Sequence, residues 1–307
     1  MTAIDRRTFL LASAAGVFVT PLSARGVDEI PMVETVPHLY DPKRPQGAPY
    51  WVDPEGVTAA QLRARAPEGV RAAVVIEASP WIEDNLWLLL AAEEDPFVVG
   101  VVGNLRPEHE EFPGYVARFS KHPLYRGIRH GNLWPGHDFP AQLDDPSFVA
   151  GLKVLAQANL VLDLSNPRVN LLQAAVRAND LVPDLRIIVD HLAGFYPTPE
   201  EWPAVEAVLR EYAQRPNIYG KISGFGLPGP QKTPPYTLEA HRDRLDRFVS
   251  AFGEDRVIGG GYTEQSIPLF RAYLADKPRS LAEKFFWKNS AKVYGWKPRS
   301  PDQPRLS

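Results

Sequence analysis

Three histidines of this chain stand where short apolar runs end, and their imidazoles could transfer protons. His38 follows IPMVETV, His130 ends RGIRH and His191 ends LRIIVDH. An unperturbed imidazole has a pKa of about 6.5, so it can accept a proton at physiological pH. A single histidine after a strand is more often a hydrogen-bonded structural residue. Three of them at strand ends favour a shared functional site, and His191, which Asp190 precedes, is the strongest candidate.

Two cations also follow β-like runs. Arg129 lies in RGIRH and Lys221 lies in NIYGKIS. A guanidinium can bind a carboxylate through two parallel hydrogen bonds. We therefore predict that Arg129 and Lys221 bind an anionic substrate. The alternative is that both cations form structural ion pairs with Glu77, Asp163 or Asp190.

Tyr262 follows three glycines in RVIGGGY, a sequence typical of a strand end that needs backbone freedom or a close approach to a ligand. We predict that its hydroxyl belongs to the site, with a packed structural aromatic as the alternative. The remaining histidines lie in helix-like or loop-like sequence and are predicted to be solvated: His109, His122, His137 and His241.

Eight short apolar runs alternate with eight amphipathic segments. The runs cover 30–36, 71–78, 97–104, 126–130, 159–164, 185–191, 217–223 and 255–261, and the helix-like segments cover 57–66, 83–94, 111–121, 146–158, 168–180, 200–214, 237–252 and 264–275. Long crossovers predict parallel strands, and continuous apolar runs indicate strands that are buried on both faces.

The repeated strand–helix unit predicts an α/β fold, a single-domain (β/α)8 TIM barrel. An open doubly wound sheet is the main competitor, but no GxGxxG motif follows an early strand. Segment 280–296 has helical spacing and is predicted to pack against the outside of the barrel. In such a barrel catalytic groups lie at the carboxyl ends of the strands, which is where the candidate residues stand.

Composition excludes several classes of partner and site. The net charge of −3 gives no electrostatic basis for binding nucleic acid or an acidic membrane surface. The absence of cysteine excludes disulfides and thiolate metal sites. The totals of 44% hydrophobic and 23% charged residues are ordinary for a soluble globular chain.

The amino-terminal sequence DRRTFLLASAAGVFVTPLSA is typical of an export signal. Two arginines precede an apolar run that is too short to span a membrane, and small residues follow. The pair Arg6-Arg7 resembles a twin-arginine signal, with an ordinary basic leader or a membrane-anchored tail as the alternative. We predict an export signal at 1–24, a barrel with a carboxyl-terminal helix at 25–307, and a periplasmic location.

An ordered set of motifs resembles the amidohydrolase-related hydrolases, in particular the branch with pyrone-dicarboxylate lactonase and sugar-lactone hydrolases. The motifs are GIRH, IIVDHLAG, YGKISG, RVIGGGY and KNSAKVYG, and the resemblance extends from about residue 31 to 296. It implies a (β/α)8 barrel, in agreement with the strand and helix pattern. His38 and His191 match histidines of the family's site.

The chain departs from the family at two positions. The family's first strand carries Asp-Thr-His-x-His, whereas this chain has Val36 in place of the first histidine, and Tyr262 stands where the family has an aspartate. A catalytic zinc takes three protein ligands and an open position, and His38 with His191 supplies two. Tyr262 could bind only as phenolate, although its ordinary pKa is about 10. We therefore predict no cofactor, with a divalent metal disfavoured.

The resemblance implies a metal-independent hydrolase of a small anionic lactone or ester. We predict His191 as the base, His38 as the group that polarises the carbonyl, and Tyr262 as an oxyanion donor. Arg129, His130 and Lys221 are predicted to bind the substrate. One alternative is a barrel that has lost its chemistry and binds a small molecule. Another is a metal-dependent decarboxylase.

Overall fold

Eight parallel strands form one sheet that curls into a barrel. A computed structural model describes residues 26–44, 55–131, 133–226 and 234–306, so the predicted export signal lies outside the described residues. The strands pair in chain order from β1 to β8. They are β1 Met32–Glu34, β2 Val70–Ile76, β3 Val98–Gly103, β4 Tyr125–Gly131, β5 Val161–Ser165, β6 Arg186–Val189, β7 Ile218–Ile222 and β8 Val257–Gly259. This topology confirms the predicted (β/α)8 barrel.

The apolar runs form strands because helices cover their outer faces while their inner faces fill the barrel. Every residue of β3, β5 and β7 is buried. Eight helices match the predicted segments: Ala59–Arg65, Asp84–Glu93, Phe112–Phe119, Pro146–Gln157, Val169–Leu181, Trp202–Ala213, Leu238–Phe252 and Ser266–Leu274. Within the part of the chain that the structure describes, no helix is long and apolar enough to cross a membrane.

Side chains rather than a backbone ladder join β1 to β8. The Glu34 carboxylate accepts hydrogen bonds from its neighbours Thr35 and Val36 and from the backbone N–H groups of Gly261 and Tyr262, with N–O distances of 2.6–3.1 Å. The Thr35 hydroxyl donates to the Gly259 carbonyl at 3.2 Å. We call these contacts the Glu34 clasp. The clasp joins the first and last strands of the barrel at the carboxyl end.

The carboxyl-terminal segment is more closely integrated than a helix packed on the outside. It forms the helix Arg279–Glu283, a π-helical turn Lys284–Lys288 and the helix Asn289–Tyr294. The Asn289 side chain donates to the Val257 carbonyl at the start of β8 at 2.8 Å. The Tyr294 hydroxyl reaches into the barrel and donates to the Asp163 carboxylate at 2.8 Å. This segment therefore supports the polar interior as well as the outer surface.

Candidate active site

The guanidinium of Arg129 lies buried at the carboxyl end of β4 and connects the polar side chains around it. Its Nη2 donates to the Ser165 hydroxyl at 2.5 Å and lies 3.4 Å from Nε2 of His191. Its Nη1 lies 3.9 Å from a carboxylate oxygen of Glu77, and its Nε lies 4.0 Å from Asp190. Arg129 thus brings the ends of β2, β5 and β6 together around one positive charge.

His191 is held in a left-handed backbone conformation directly after β6. Its φ and ψ are 60° and 30°, a region that few non-glycine residues occupy. Nδ1 lies 3.1 Å from the Ser223 hydroxyl. Because Arg129 can only donate, Nε2 is the acceptor and Nδ1 carries the proton. Burial lowers the pKa of His191 to about 4, and Arg129 and Lys221 reinforce this against the opposing charge of Asp190.

His38 is also neutral at physiological pH. Its Nδ1 lies 2.8 Å from the Glu77 carbonyl and 3.1 Å from the Ile76 carbonyl, so this nitrogen carries the proton. Burial and the charge of Arg129 lower its pKa to about 3. The unprotonated Nε2 can accept a hydrogen bond but cannot donate one to a carbonyl. The predicted role of His38 in polarising a carbonyl therefore does not agree with this tautomer.

Glu77 was predicted only as a possible ion-pair partner, yet its carboxyl group lies within the site. It accepts from the Ser79 N–H at 2.8 Å and from the Trp134 indole at 3.4 Å, in addition to facing Arg129. Burial raises the pKa of Glu77 to about 7, and Arg129 only partly offsets this. The feature of the sequence that could have pointed to Glu77 is an acidic residue directly after the apolar run that forms β2.

Lys221 is fully buried within the barrel, between two carboxylates. Its ammonium is 2.9 Å from Asp163 and 2.7 Å from Asp190, and its side chain has 0% exposure. Burial lowers the pKa of Lys221, but the two carboxylates together outweigh burial and raise it. These contacts match the alternative prediction for Lys221, namely structural ion pairs. We propose no substrate contact for it.

His130 lies on the opposite face of β4 from Arg129, because successive side chains of a strand point to opposite sides. Its ring stacks on His137 with 4.2 Å between centroids and packs against Phe139 and Phe148. The structure therefore does not bring His130 together with His38 and His191. The prediction that His137 is solvated is wrong because this stack buries it, and His241 is buried as well.

Tyr262 packs among aromatic side chains of the surrounding helices. Its ring meets Phe270 and Phe286 with 6.0 Å between centroids in each case. Its hydroxyl lies against Gly259, where an added Cβ would approach that oxygen to 2.4 Å. Burial raises the pKa of Tyr262 well above its usual range. This matches the structural alternative, and the geometry gives Tyr262 no contact with the imidazoles.

The donor set at this site does not fit a catalytic zinc. Such a site uses three protein ligands, and the described residues contain no group of three or more histidine, cysteine, aspartate or glutamate side chains arranged to hold a metal. Nε2 of His191 faces the Arg129 guanidinium, which repels a divalent cation. The Glu34 carboxylate beside Val36 is already engaged with four backbone N–H groups.

Comparison with known proteins agrees with this architecture. A curated relative, L-fucono-1,5-lactonase of Burkholderia ambifaria, is 30% identical over 64% of this chain and 65% of its own length. The chain thus spans slightly less than two thirds of that relative.

Solved structures with lower identity share the fold. An amidohydrolase from Burkholderia multivorans with bound zinc is 18% identical with a TM-score of 0.72, covering 87% of this chain and 100% of that one. A candidate 2-pyrone-4,6-dicarboxylic acid hydrolase from Pseudomonas putida is 17% identical with a TM-score of 0.67, covering 87% and 98%.

The family comparison extends over most of the chain. The Amidohydro_2 family, described as amidohydrolase, matches residues 29–296. This range includes all eight strands and every residue of the site described above. The chain therefore belongs to the amidohydrolase family of hydrolases.

Proposed function

We propose that the chain hydrolyses a small lactone or ester without a metal cofactor. The observation that supports this most directly is the contact between Nε2 of His191 and the buried guanidinium of Arg129. It combines an unprotonated imidazole nitrogen with a fixed positive charge. Attack of water on an acyl group draws on these two functions, a base for the water and stabilisation of the oxyanion.

In the proposed reaction a water molecule replaces Arg129 as the hydrogen-bond partner of Nε2 of His191, and Nε2 takes a proton from it as the water oxygen attacks the carbonyl carbon. Ser223 keeps the imidazole in the required tautomer, and Asp190 stabilises the imidazolium that forms. Arg129 stabilises the negative charge that develops on the carbonyl oxygen.

We propose a substrate without a charge of its own, rather than the anionic one that the sequence predicts. Arg129 faces Glu77 and Asp190, and Lys221 faces Asp163 and Asp190. The two cations are thus matched by Asp163 and Asp190 even when Glu77 carries its proton, which leaves no surplus positive charge at these residues to attract an anion. The name of the fuconolactone-hydrolysing relative is consistent with an uncharged substrate class.

A panel of lactones tests this proposal. Proton release should be measured with uncharged sugar lactones, a pyrone dicarboxylate and simple esters, before and after treatment with a chelator. We expect the protein to hydrolyse uncharged lactones, and we expect the chelator to leave the rate unchanged. Preference for the dicarboxylate would overturn the proposal of an uncharged substrate. Loss of activity on chelation would overturn the proposal of a metal-independent reaction.

Replacing His191 with alanine tests the role of the base. We expect kcat to fall by about 100-fold, because a positioned general base contributes about that much or more. The exposed His109 provides the matched control, and His109→Ala should retain the full rate. An unchanged rate in His191→Ala would remove this mechanism. Ligand-induced thermal stabilisation with no turnover of any substrate would instead favour the binding-protein alternative.

A further inference from the structure

We infer that Glu77 is the general acid of this reaction and protonates the leaving oxygen when the acyl–oxygen bond breaks. The inference rests on the proposed hydrolysis and adds a second catalytic residue to it. Without such a donor the leaving group of a lactone is an alkoxide, which is a poor leaving group in water. General acids remove this barrier by supplying a proton as the bond breaks.

The geometry places Glu77 and His191 on two different nitrogens of the same guanidinium. His191 contacts Nη2 of Arg129 at 3.4 Å, and Glu77 lies 3.9 Å from Nη1. A carbonyl oxygen stabilised by Arg129 would therefore have the base on one side and the carboxyl group on the other. Water attack and departure of the leaving group each involve a proton transfer, and these two positions allow a different side chain to carry out each one.

Several contacts hold the Glu77 carboxyl group in this position. One oxygen accepts from the Ser79 N–H and the other faces the Trp134 indole and Arg129. The backbone carbonyl of Glu77 also accepts from Nδ1 of His38. The end of β2 is therefore fixed both to the loop that carries Trp134 and to the segment after β1.

The protonation states suit the two roles. Burial raises the pKa of Glu77 to about 7, with Asp84 adding to this and Arg129 and Trp134 opposing it. Burial lowers the pKa of His191 to about 4, with Arg129 and Lys221 acting in the same direction and Asp190 against it. Between these two values the imidazole is unprotonated and the carboxyl group carries its proton. Neighbouring groups with pKa values moved apart are the usual arrangement of a base and an acid.

The proton inventory of the step balances. Nε2 of His191 receives one proton from water, and the water oxygen forms the new bond to the acyl carbon. The bond between that carbon and the ring oxygen breaks, and the ring oxygen takes the proton of Glu77. The products are the ring-opened hydroxy acid, the imidazolium of His191 and the carboxylate of Glu77. Transfer of one proton from the imidazolium to the carboxylate through solvent restores the starting state.

This assignment predicts a bell-shaped pH dependence of kcat/KM for lactones. The rate should rise as pH increases through about 4, where His191 loses its proton, and should fall above about 7, where Glu77 loses its own. The variant Glu77→Gln has no proton to lose, so its alkaline limb should disappear. Retention of that limb in Glu77→Gln would overturn the assignment.

A pair of substrates with different leaving groups completes the test. With an alkyl lactone, Glu77→Gln should lower kcat by about 100-fold, the usual contribution of a general acid. With a nitrophenyl ester, whose leaving group departs as an anion, the same preparation should stay within a few-fold of wild type. The nitrophenyl rate also reports that the variant is folded, and the exposed Glu94→Gln serves as the matched control.

The outcomes separate the two proposals. Equal loss with both substrates, or no loss with either, would overturn the role of Glu77 while leaving the hydrolysis intact. If the wild-type protein hydrolyses neither substrate, the proposed function fails and this inference fails with it.

Discussion

Replacing Lys221 with methionine is expected to lower the free energy of unfolding by about 3–5 kcal/mol, the usual cost of removing one partner of a buried ion pair. The ammonium is fully buried between Asp163 and Asp190. Its removal leaves Asp163 without a cation and Asp190 with only the more distant Arg129, in a fully buried interior. Methionine has similar length, so little of the loss comes from an empty cavity.

Urea denaturation followed by tryptophan fluorescence measures this change. Lys153 is exposed on the helix Pro146–Gln157, and Lys153→Met should stay within about 0.5 kcal/mol of wild type. A loss below 1 kcal/mol in Lys221→Met would contradict the role assigned to the ion pairs.

Replacing Glu34 with alanine is expected to lower the free energy of unfolding by about 4 kcal/mol, because a buried backbone donor without a partner costs about 1–3 kcal/mol and some of the donors will find water. The carboxylate accepts from four backbone N–H groups across the joint between β1 and β8. Burial raises the pKa of Glu34 while those four donors lower it.

The variant Glu34→Gln distinguishes the contributions of the two carboxylate oxygens to stability. Oε1 accepts from Thr35, Val36 and Gly261, and Oε2 accepts only from Tyr262. The amide oxygen of glutamine can replace Oε1, but its NH₂ group cannot accept from Tyr262. Glu34→Gln should therefore lose about half as much stability as Glu34→Ala, and the exposed Glu94→Ala should lose almost none. Equal stability of Glu34→Ala and wild type would show that the clasp contributes nothing.

The fold could be predicted because burial on both faces of a strand leaves a direct trace in the sequence. Runs such as AAVVI in β2 and VVGVV in β3 do not alternate between apolar and polar residues, so they do not fit strands with one exposed face. All eight predicted strands are present. The position of Arg129 and His191 at the carboxyl end of the barrel could be predicted for the same reason, since both follow such runs.

Side-chain direction was harder to predict. In RGIRH, Arg129 and His130 are adjacent, and a shift of one residue exchanges the side chain that enters the barrel with the one that packs outside. The ring neighbours His137, Phe139 and Phe148, which come from a later segment of the chain, accompany His130 on the outside of the barrel. The same holds for Tyr262, whose direction depends on Phe270 and Phe286 from later segments.

The role that we propose for Glu77 could not be predicted from the sequence because it depends on burial. An acid after an apolar strand is equally consistent with an ion-pair partner and with a proton donor. What distinguishes the two is the depth of the carboxyl group and the 3.9 Å separation from Arg129, which leaves its pKa raised instead of lowered. Neither quantity is recorded in local sequence.

The Glu34 clasp makes four amide protons depend on one side chain. The backbone N–H groups of Thr35, Val36, Gly261 and Tyr262 belong to opposite ends of the chain, yet one rotation of the Glu34 side chain releases all of them. In deuterium exchange these amides should therefore become labelled together, at a rate slower than loop amides and faster than those within β3. Such synchronous labelling would identify this joint as the place where the ring of strands first opens to solvent.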